Sequence, residues 1–221
     1  MSKKRILSLG KSSTKDFSNT FEIERLIYAP SESAWFAPSH CLWNSPVPIR
    51  GKATIGNSYP DELKLFFFER LKIAPAVLST VVEGLRSLAR GQPSLPEVKE
   101  MIWAINNMDP KPGDLESMVE CNILPVRGDR SGSERVSFCN YHSNFVVIDR
   151  LKLGEVFRGH IGFLDFSLEE VRQLNPFLEA LNLDKKFLSR VCTDRTACTE
   201  ERVLDARLTT EFRDRAYDLL R

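Results

Sequence analysis

The chain has 221 residues, 42% hydrophobic and 28% charged, with a formal net charge of +1. This is the composition of an ordinary globular protein, long enough to bury a core without disulfides or metal. A charge so close to zero excludes a strong overall preference for nucleic acid or an anionic membrane.

Residues 1–20 carry Lys3, Lys4, Arg5, Lys11 and Lys15 against Asp16, a net +4, which leaves −3 on the remainder. A Ser- and Lys-rich start buries too little apolar surface to offset the entropy of ordering, so residues 1–20 are expected to form a disordered, mobile basic tail. Lys3-Lys4-Arg5 is too short a basic run for a convincing nuclear-import signal. Phe21, Ile23 and Leu26-Ile27-Tyr28 then suggest strand, stopped by Pro30, and Trp35-Phe36 and Leu42-Trp43 flank Pro38 as short edge segments. Pro46, Pro48 and Gly51 make a loop.

Helices come next. From Pro60 to Leu71 the apolar residues Leu63, Phe66, Phe67 and Leu71 recur at a helical period. Pro75 opens a second helix with Val77, Val81, Leu85 and Leu88 in line, closed by Gly91 and Pro93. Ser94 and Glu97 form a capping box for a third, which turns Leu95, Val98, Ile102 and Ile105 inward. Asp109-Pro110-Lys111-Pro112-Gly113 is a clear break, dividing a first α+β unit (21–108) from a second (114–221).

The second unit starts with a short helix near Leu115–Cys121. Strands are expected at 123–126, 136–139, 145–148 and 161–166, with Gly128–Ser133 as an exposed turn. Ser167 and Glu170 form another capping box, Pro176 divides the helical stretch after it in two, and Asp205–Arg221 is a final helix. The two halves share an order: Leu26–Pro30, loop, Trp35-Phe36, then Phe67–Ile73; and Ile123–Pro125, loop, Val136–Phe138, then Phe177–Leu183. The expected fold class is α+β, built from two related strand-loop-strand-helix units with helical connections.

Reactive chemistry is sparse. Arg50-Gly51-Lys52-Ala53-Thr54 fails as a phosphate loop, because Pro46 replaces the first glycine and Ala53 the metal-binding hydroxyl. No G-x-G-x-x-G string exists. The five cysteines, Cys41, Cys121, Cys139, Cys192 and Cys198, are odd in number and irregularly spaced. With no apolar leader in Met1–Gly10, they read as free thiols of a reduced compartment, cytoplasmic or nuclear. His40, Cys41, Cys139 and His142 are conceivable zinc ligands, but small buried cysteines are commoner. Cys139, His142 and Asp149 are the one compact nucleophile–base–carboxylate set, without a nucleophile elbow around them. Asp149 and Asp165 each end a strand-like run, where turn-forming Asp is the usual case. Trp35, Trp43, Trp103 and the fourteen Phe are not interleaved with cations, so core packing is expected of them rather than base stacking.

A set of ordered segments resembles a known family. Trp35-x-x-Pro38-x-x-Cys41-Leu42-Trp43, Ile49–Ile55, Tyr59-Pro60 and Phe66–Leu71 are similar to segments of large fungal proteins related to plant NO VEIN and, more distantly, to sacsin. Val147–Arg150, Phe157–Gly159, Leu164–Arg172 and Leu188–Arg190 continue the similarity in the same order, across about residues 21–221. Those relatives carry an amino-terminal ATP-binding module like that of Hsp90. The resemblance implies that this chain begins after that module and stops before the relatives do. The family's acidic-x-x-x-Asn helix and Asp-x-Gly-x-Gly loop have no matching positions, so no nucleotide-binding residue carries over. It further implies a scaffolding or chaperone-like background with the ATPase absent.

The functional expectation is a non-catalytic protein-interaction module with no cofactor or metal, whose partner is another protein or a second copy, not nucleic acid or membrane. Three consecutive aromatics, Phe66, Phe67 and Phe68, cannot all face one core, and they are the candidate interaction surface. The alternatives are an enzyme or accessory factor of a biosynthetic pathway with an unrecognised site, for which Cys139, His142 and Asp149 are the residues to test, and a truncated relic without function.

Overall fold

The structure, a computed structural model, describes residues 12–128, 135–157, 159–193, 207 and 209–210. Met1–Val191 forms one unit and Cys192–Arg221 a second. In the second unit residues 207 and 209–210 are helical, while Cys198 and most of the expected terminal helix lie outside the described residues.

The described chain opens with a helix, α1 (Ser12–Glu24). Arg25 takes a left-handed backbone with φ of 52° and leads into an antiparallel hairpin of β1 (Ile27–Ala29) and β2 (Ala34–Phe36), Ile27 opposite Phe36. Strand alternation buries Ile27 and Ala29 and turns Tyr28 outward. β3 (Cys41–Leu42) pairs in parallel with β4 (Ala53–Thr54) across the proline-containing loop. Single 3-10 turns at Gly56–Ser58 and Asp61–Leu63 precede a π-helical turn at Phe66–Arg70.

Two longer helices come after it, α2 (Leu78–Ala89) and α3 (Leu95–Asn107). They pack closely because residue 84 is glycine: a Cβ there would lie 2.9 Å from Ile49 Cγ2 and 3.1 Å from Met101 Cε. The Ser94–Glu97 capping box forms in full at the start of α3.

Beyond a 3-10 turn at Glu116–Met118 come β5 (Leu124–Arg127), β6 (Val136–Cys139), β7 (Phe145–Val146), α4 (Leu151–Phe157) and β8 (Gly162–Leu164). The four strands form one sheet in the order β6-β5-β8-β7. β5 is antiparallel to both neighbours, and β7 is parallel to β8. Parallel neighbours cannot be joined by a tight turn, and α4 supplies their crossover. α5 (Leu168–Gln173), with its capping box Ser167–Glu170, α6 (Asn175–Ala180) and α7 (Leu188–Val191) complete the unit.

The fold is mixed α+β. Two hydrophobic clusters hold it. The larger runs from Leu42 to Leu183 and draws on α2, α3, the four-stranded sheet, α5 and α6. The smaller gathers Ile27, Ala29, Cys41, Trp43, Ala53, Ile55, Phe67, Leu71 and Ile73.

Several expectations are corrected. The 109–113 break is a turn and not a boundary between cores, because the larger cluster takes residues from both sides of it. The hairpin recurs, but its surroundings do not: β1–β2 is a lone two-stranded sheet, whereas β5–β6 is half of a four-stranded one. Residues 12–20, expected in the tail, belong to α1. The helix expected from Pro60 breaks into short turns with a π segment, and α2 starts at Leu78 with Val77 exposed. Trp43 is buried as expected of core, whereas Trp35 is 60% exposed.

Candidate functional site

Phe66, Phe67 and Phe68 are placed by the π-helical turn, which the Leu71 amide closes by donating to Phe66 O at 3.4 Å. Each ring has its own neighbours. Phe67 is 4% exposed and packs on Trp43 (5.6 Å between centroids) and Tyr59 (4.8 Å). Phe68 meets Trp43 edge-on at 5.6 Å, with Lys64 Nζ 5.5 Å from its centroid. Phe66 faces α1, 6.0 Å from Phe17 and 6.1 Å from Phe21. The second partner expected for the third ring is therefore a helix of this chain.

That helix does not close the surface. An apolar groove of about 290 Å³ lies between Phe21, Leu26, Ile27, Tyr59, Leu63, Phe66 and Phe67. Leu63 on its rim is 41% exposed, and Leu65 nearby in sequence is 67% exposed. On the hairpin, Tyr28 and Trp35, both exposed, meet across the strands with ring centroids 5.2 Å apart and planes tilted by 51°. The Tyr59 hydroxyl donates to Tyr28 O at 2.9 Å and ties groove to hairpin.

Two larger hollows, of about 380 and 400 Å³, flank Arg50. The cations lining them are engaged: Arg50 makes a bidentate pair with Glu97 at 2.9 Å, and Lys52 donates to Ser39 O. The capping hydroxyl of Ser94, with the Arg50 pairing, holds the Glu97 carboxyl down at about 2. Arg50-Gly51 is a surface turn, Gly51 with φ of 77°.

Cys139, His142 and Asp149 do not converge into a relay. His142 Nε2 is 3.0 Å from Glu120 Oε1 on an exposed surface. Asp149 accepts from the Ser189 amide at 3.0 Å and from its hydroxyl, securing the first turn of α7. Cys139, half-buried at the end of β6, has its thiol pushed up by burial, against the opposing pull of the Ser143 hydroxyl and Lys186. Nor do the four conceivable zinc ligands meet: Cys41 lies in the smaller cluster, Cys139 against the larger, and His40 is exposed. Burial pushes the Cys41 thiol up to about 11, Glu22 adding to the effect and Lys52 opposing it. At pH 8 Cys41 is thus expected to react with a maleimide at least tenfold more slowly than the partly exposed Cys121, read by peptide mass spectrometry; equal rates would contradict its burial.

Sequence inspection misses Phe17, Phe21, Leu26, Tyr59 and Leu63. The available signal is the four-residue spacing of Phe17 and Phe21, one face of a helix. It also misses Lys186, whose Nζ donates to Ser143 O at 2.8 Å and lies 4.2 Å from the Phe145 ring centroid and 5.2 Å from that of Tyr141.

A mixed α+β protein with an aromatic groove, and with its candidate catalytic side chains bonded elsewhere, is the class that fold and surface define. Residues 79–192, just over half of the chain, match the family described as Domain of unknown function (DUF8348), and the chain belongs to that family. No curated protein and no solved structure matches the chain. The matched segment starts in α2 and ends just past α7, so the aromatic groove lies outside it.

Proposed function

We propose that this protein is a non-catalytic interaction module that receives an apolar segment of another polypeptide in the groove between α1, β1 and the 59–67 segment. The observation that carries this is the groove itself, apolar in lining and left open beside Leu26 and Leu63. Apolar side chains on a rim cost free energy in water that a partner recovers, at about 25 cal/mol per Å² covered. The resemblance to the segment after the ATPase module of NO VEIN-like and sacsin-like proteins supports the same role, a scaffold without nucleotide chemistry. Among the described residues no helix is long and apolar enough to cross a membrane.

The test is a photo-crosslinking residue at position 63 in the native cell. A discrete polypeptide adduct is expected, reduced at least tenfold by Leu26→Asp, with thermal stability lowered by no more than a few degrees. Alanine at Cys139 or His142 should leave the adduct unchanged. Absence of any polypeptide adduct, or an adduct indifferent to Leu26→Asp, would overturn the proposal.

A further inference from the structure

The antiparallel pairing of β5 and β6 continues beyond the ends of both strands. The Ile123 amide donates to Cys139 O at 3.1 Å, and the Tyr141 amide donates to Val119 O at 3.2 Å. The stretch from Val119 to Ile123 therefore lies against the shorter stretch from Cys139 to Tyr141. The surplus residues form a bulge with Cys121 at its centre. Two turns gather that bulge: the Cys121 amide donates to Met118 O at 2.9 Å, and the Cys121 carbonyl accepts from Ile123 N at 3.0 Å. One amide, that of Ile123, is thus shared between the carbonyls of Cys121 and Cys139. Glu120 and His142 join the same two stretches on the exposed side, Oε1 to Nε2 at 3.0 Å.

The two cysteines that this junction brings together share a setting. Each is half-buried, and each packs against the larger hydrophobic cluster. Cys121 Sγ reaches Ser117 O at 3.6 Å, and Cys139 has the Ser143 hydroxyl and Lys186 beside it. A thiol is a weak donor and a weak acceptor, so neither contact fixes its sulfur. Burial raises the Cys139 thiol, and Lys186 opposes it, so the thiolate forms next to a cation. Cys41, by contrast, is buried in the smaller cluster, and Cys192 opens the second unit. Residues facing each other across an antiparallel pair have Cα atoms about 4.5–5.5 Å apart, inside the range of about 4.4–6.8 Å that a disulfide spans.

We propose that Cys121 and Cys139 form a reversible dithiol–disulfide site, which a hydroperoxide closes and a dithiol reductant opens. One thiolate takes the terminal oxygen of the hydroperoxide; the O–O bond breaks, and an alcohol or water leaves. The second thiol attacks the resulting sulfenic sulfur. The S–S bond forms, the S–O bond breaks, and the oxygen departs as water. Two thiols and one hydrogen peroxide thus give one disulfide and two waters. The dithiol returns two electrons and two protons by thiol–disulfide exchange and is itself left as a disulfide. The link ties the bulge after the 116–118 turn to the end of β6, and so stiffens the connection from α3 into the sheet. It does not rest on the aromatic groove, and it falls inside the segment matched by the family, residues 79–192.

The experiment treats the full wild-type chain with equimolar hydrogen peroxide at pH 8, blocks the remaining thiols with a maleimide after acid quenching, and maps tryptic peptides without reduction. A peptide pair joined through Cys121 and Cys139 is expected, at least tenfold above any other cysteine pair. Its yield should not change on tenfold dilution of the protein, and dithiothreitol should abolish it. The oxidised chain should melt about 5–10 °C above the dithiol form. Cys139→Ser should remove that rise, whereas Cys192→Ser should leave both the link and the rise in place. Oxidation that gives only sulfinic acids, or that joins Cys121 or Cys139 to other cysteines or to a second chain, would overturn the proposal. An oxidised form that melts below the dithiol form would overturn it too, since closure would then require the folded backbone to move.

Discussion

Replacing Asn106 by Leu is expected to lower the melting temperature by about 10 °C, the largest effect of any single polar substitution in the described structure. Asn106 is 7% exposed, the one buried polar side chain among the described residues. Its amide is inserted between α5 and α6: Nδ2 donates to Gln173 O at 3.0 Å and Oδ1 accepts from Phe177 N at 3.1 Å. Gln173 and Phe177 are four apart, so a continuous helix would bond them to each other. Pro176 breaks that continuity, and the side chain from α3 takes up both ends of the interrupted bond. Leu supplies neither donor nor acceptor, leaving two buried backbone groups unsatisfied at about 1–3 kcal/mol each. For a unit of this size 1 kcal/mol corresponds to about 2–4 °C. Asn106→Asp separates the two bonds. The carboxylate can still accept from Phe177 N, but it repels the Gln173 carbonyl, so its folded pKa lies above the ordinary Asp value of about 3.9. A group whose pKa is raised on folding loses stability as pH rises, so the gap between this variant and wild type should widen from pH 4 to pH 7. Melting both variants by circular dichroism at those pH values checks this; a shift under 3 °C for Asn106→Leu would refute it.

Features that depend on a few adjacent residues are legible in the sequence. Both capping boxes, Ser94–Glu97 and Ser167–Glu170, form as expected, because three residues suffice to specify the bond pair. β6 is expected at 136–139 and lies there. Features that depend on distant partners are not legible. α4 has no capping signal; it exists because β7 and β8 pair in parallel and their connection must cross over. The Pro-Gly break after α3 reads as a boundary, since nothing near Asn106 announces that it will meet Gln173 and Phe177.

The groove is half legible for the same reason. Three consecutive Phe announce that one ring needs a second partner, and that logic goes no further than the segment that carries them. It does not point to α1, because a Ser- and Lys-rich start carries the composition of a tail. Phe17 and Phe21 order it by meeting Phe66, a contact between segments far apart in the chain. The Cys139–His142–Asp149 grouping fails in the opposite way. Its members are close in sequence, but the turn after β6 sends His142 to Glu120 and Asp149 to Ser189.

Asp165 has the sequence signature of a turn-forming residue at a strand end, yet its substitution is expected to have the second-largest effect. Its side chain is 9% exposed, with Oδ1 2.6 Å from Arg127 Nε and Oδ2 3.2 Å from Lys99 Nζ. Its own amide donates to Pro125 O at 2.7 Å. One residue thus links β8 to β5 through the backbone and to α3 through Lys99, which also lies 4.8 Å from the Phe166 ring centroid. Burial by itself would raise the carboxyl's pKa, but the Arg127 and Lys99 cations outweigh it and hold it below the ordinary value. Asp165→Asn keeps the volume and removes the charge. Because Arg127 is half exposed and solvent screens part of the attraction, the expected cost is about 2 kcal/mol, or about 4–8 °C. The sign of the pH dependence comes from the lowered pKa. The stabilisation is complete above the unfolded carboxyl value of about 3.9 and is lost as pH falls through the lower folded value. Wild type and Asp165→Asn should therefore differ by a constant amount from pH 7 to pH 5 and converge below pH 4. Urea unfolding at pH 7, 5, 4 and 3 measures this directly; a difference that persists undiminished at pH 3, or grows there, would show that the carboxylate's charge is not what joins α3 to the sheet.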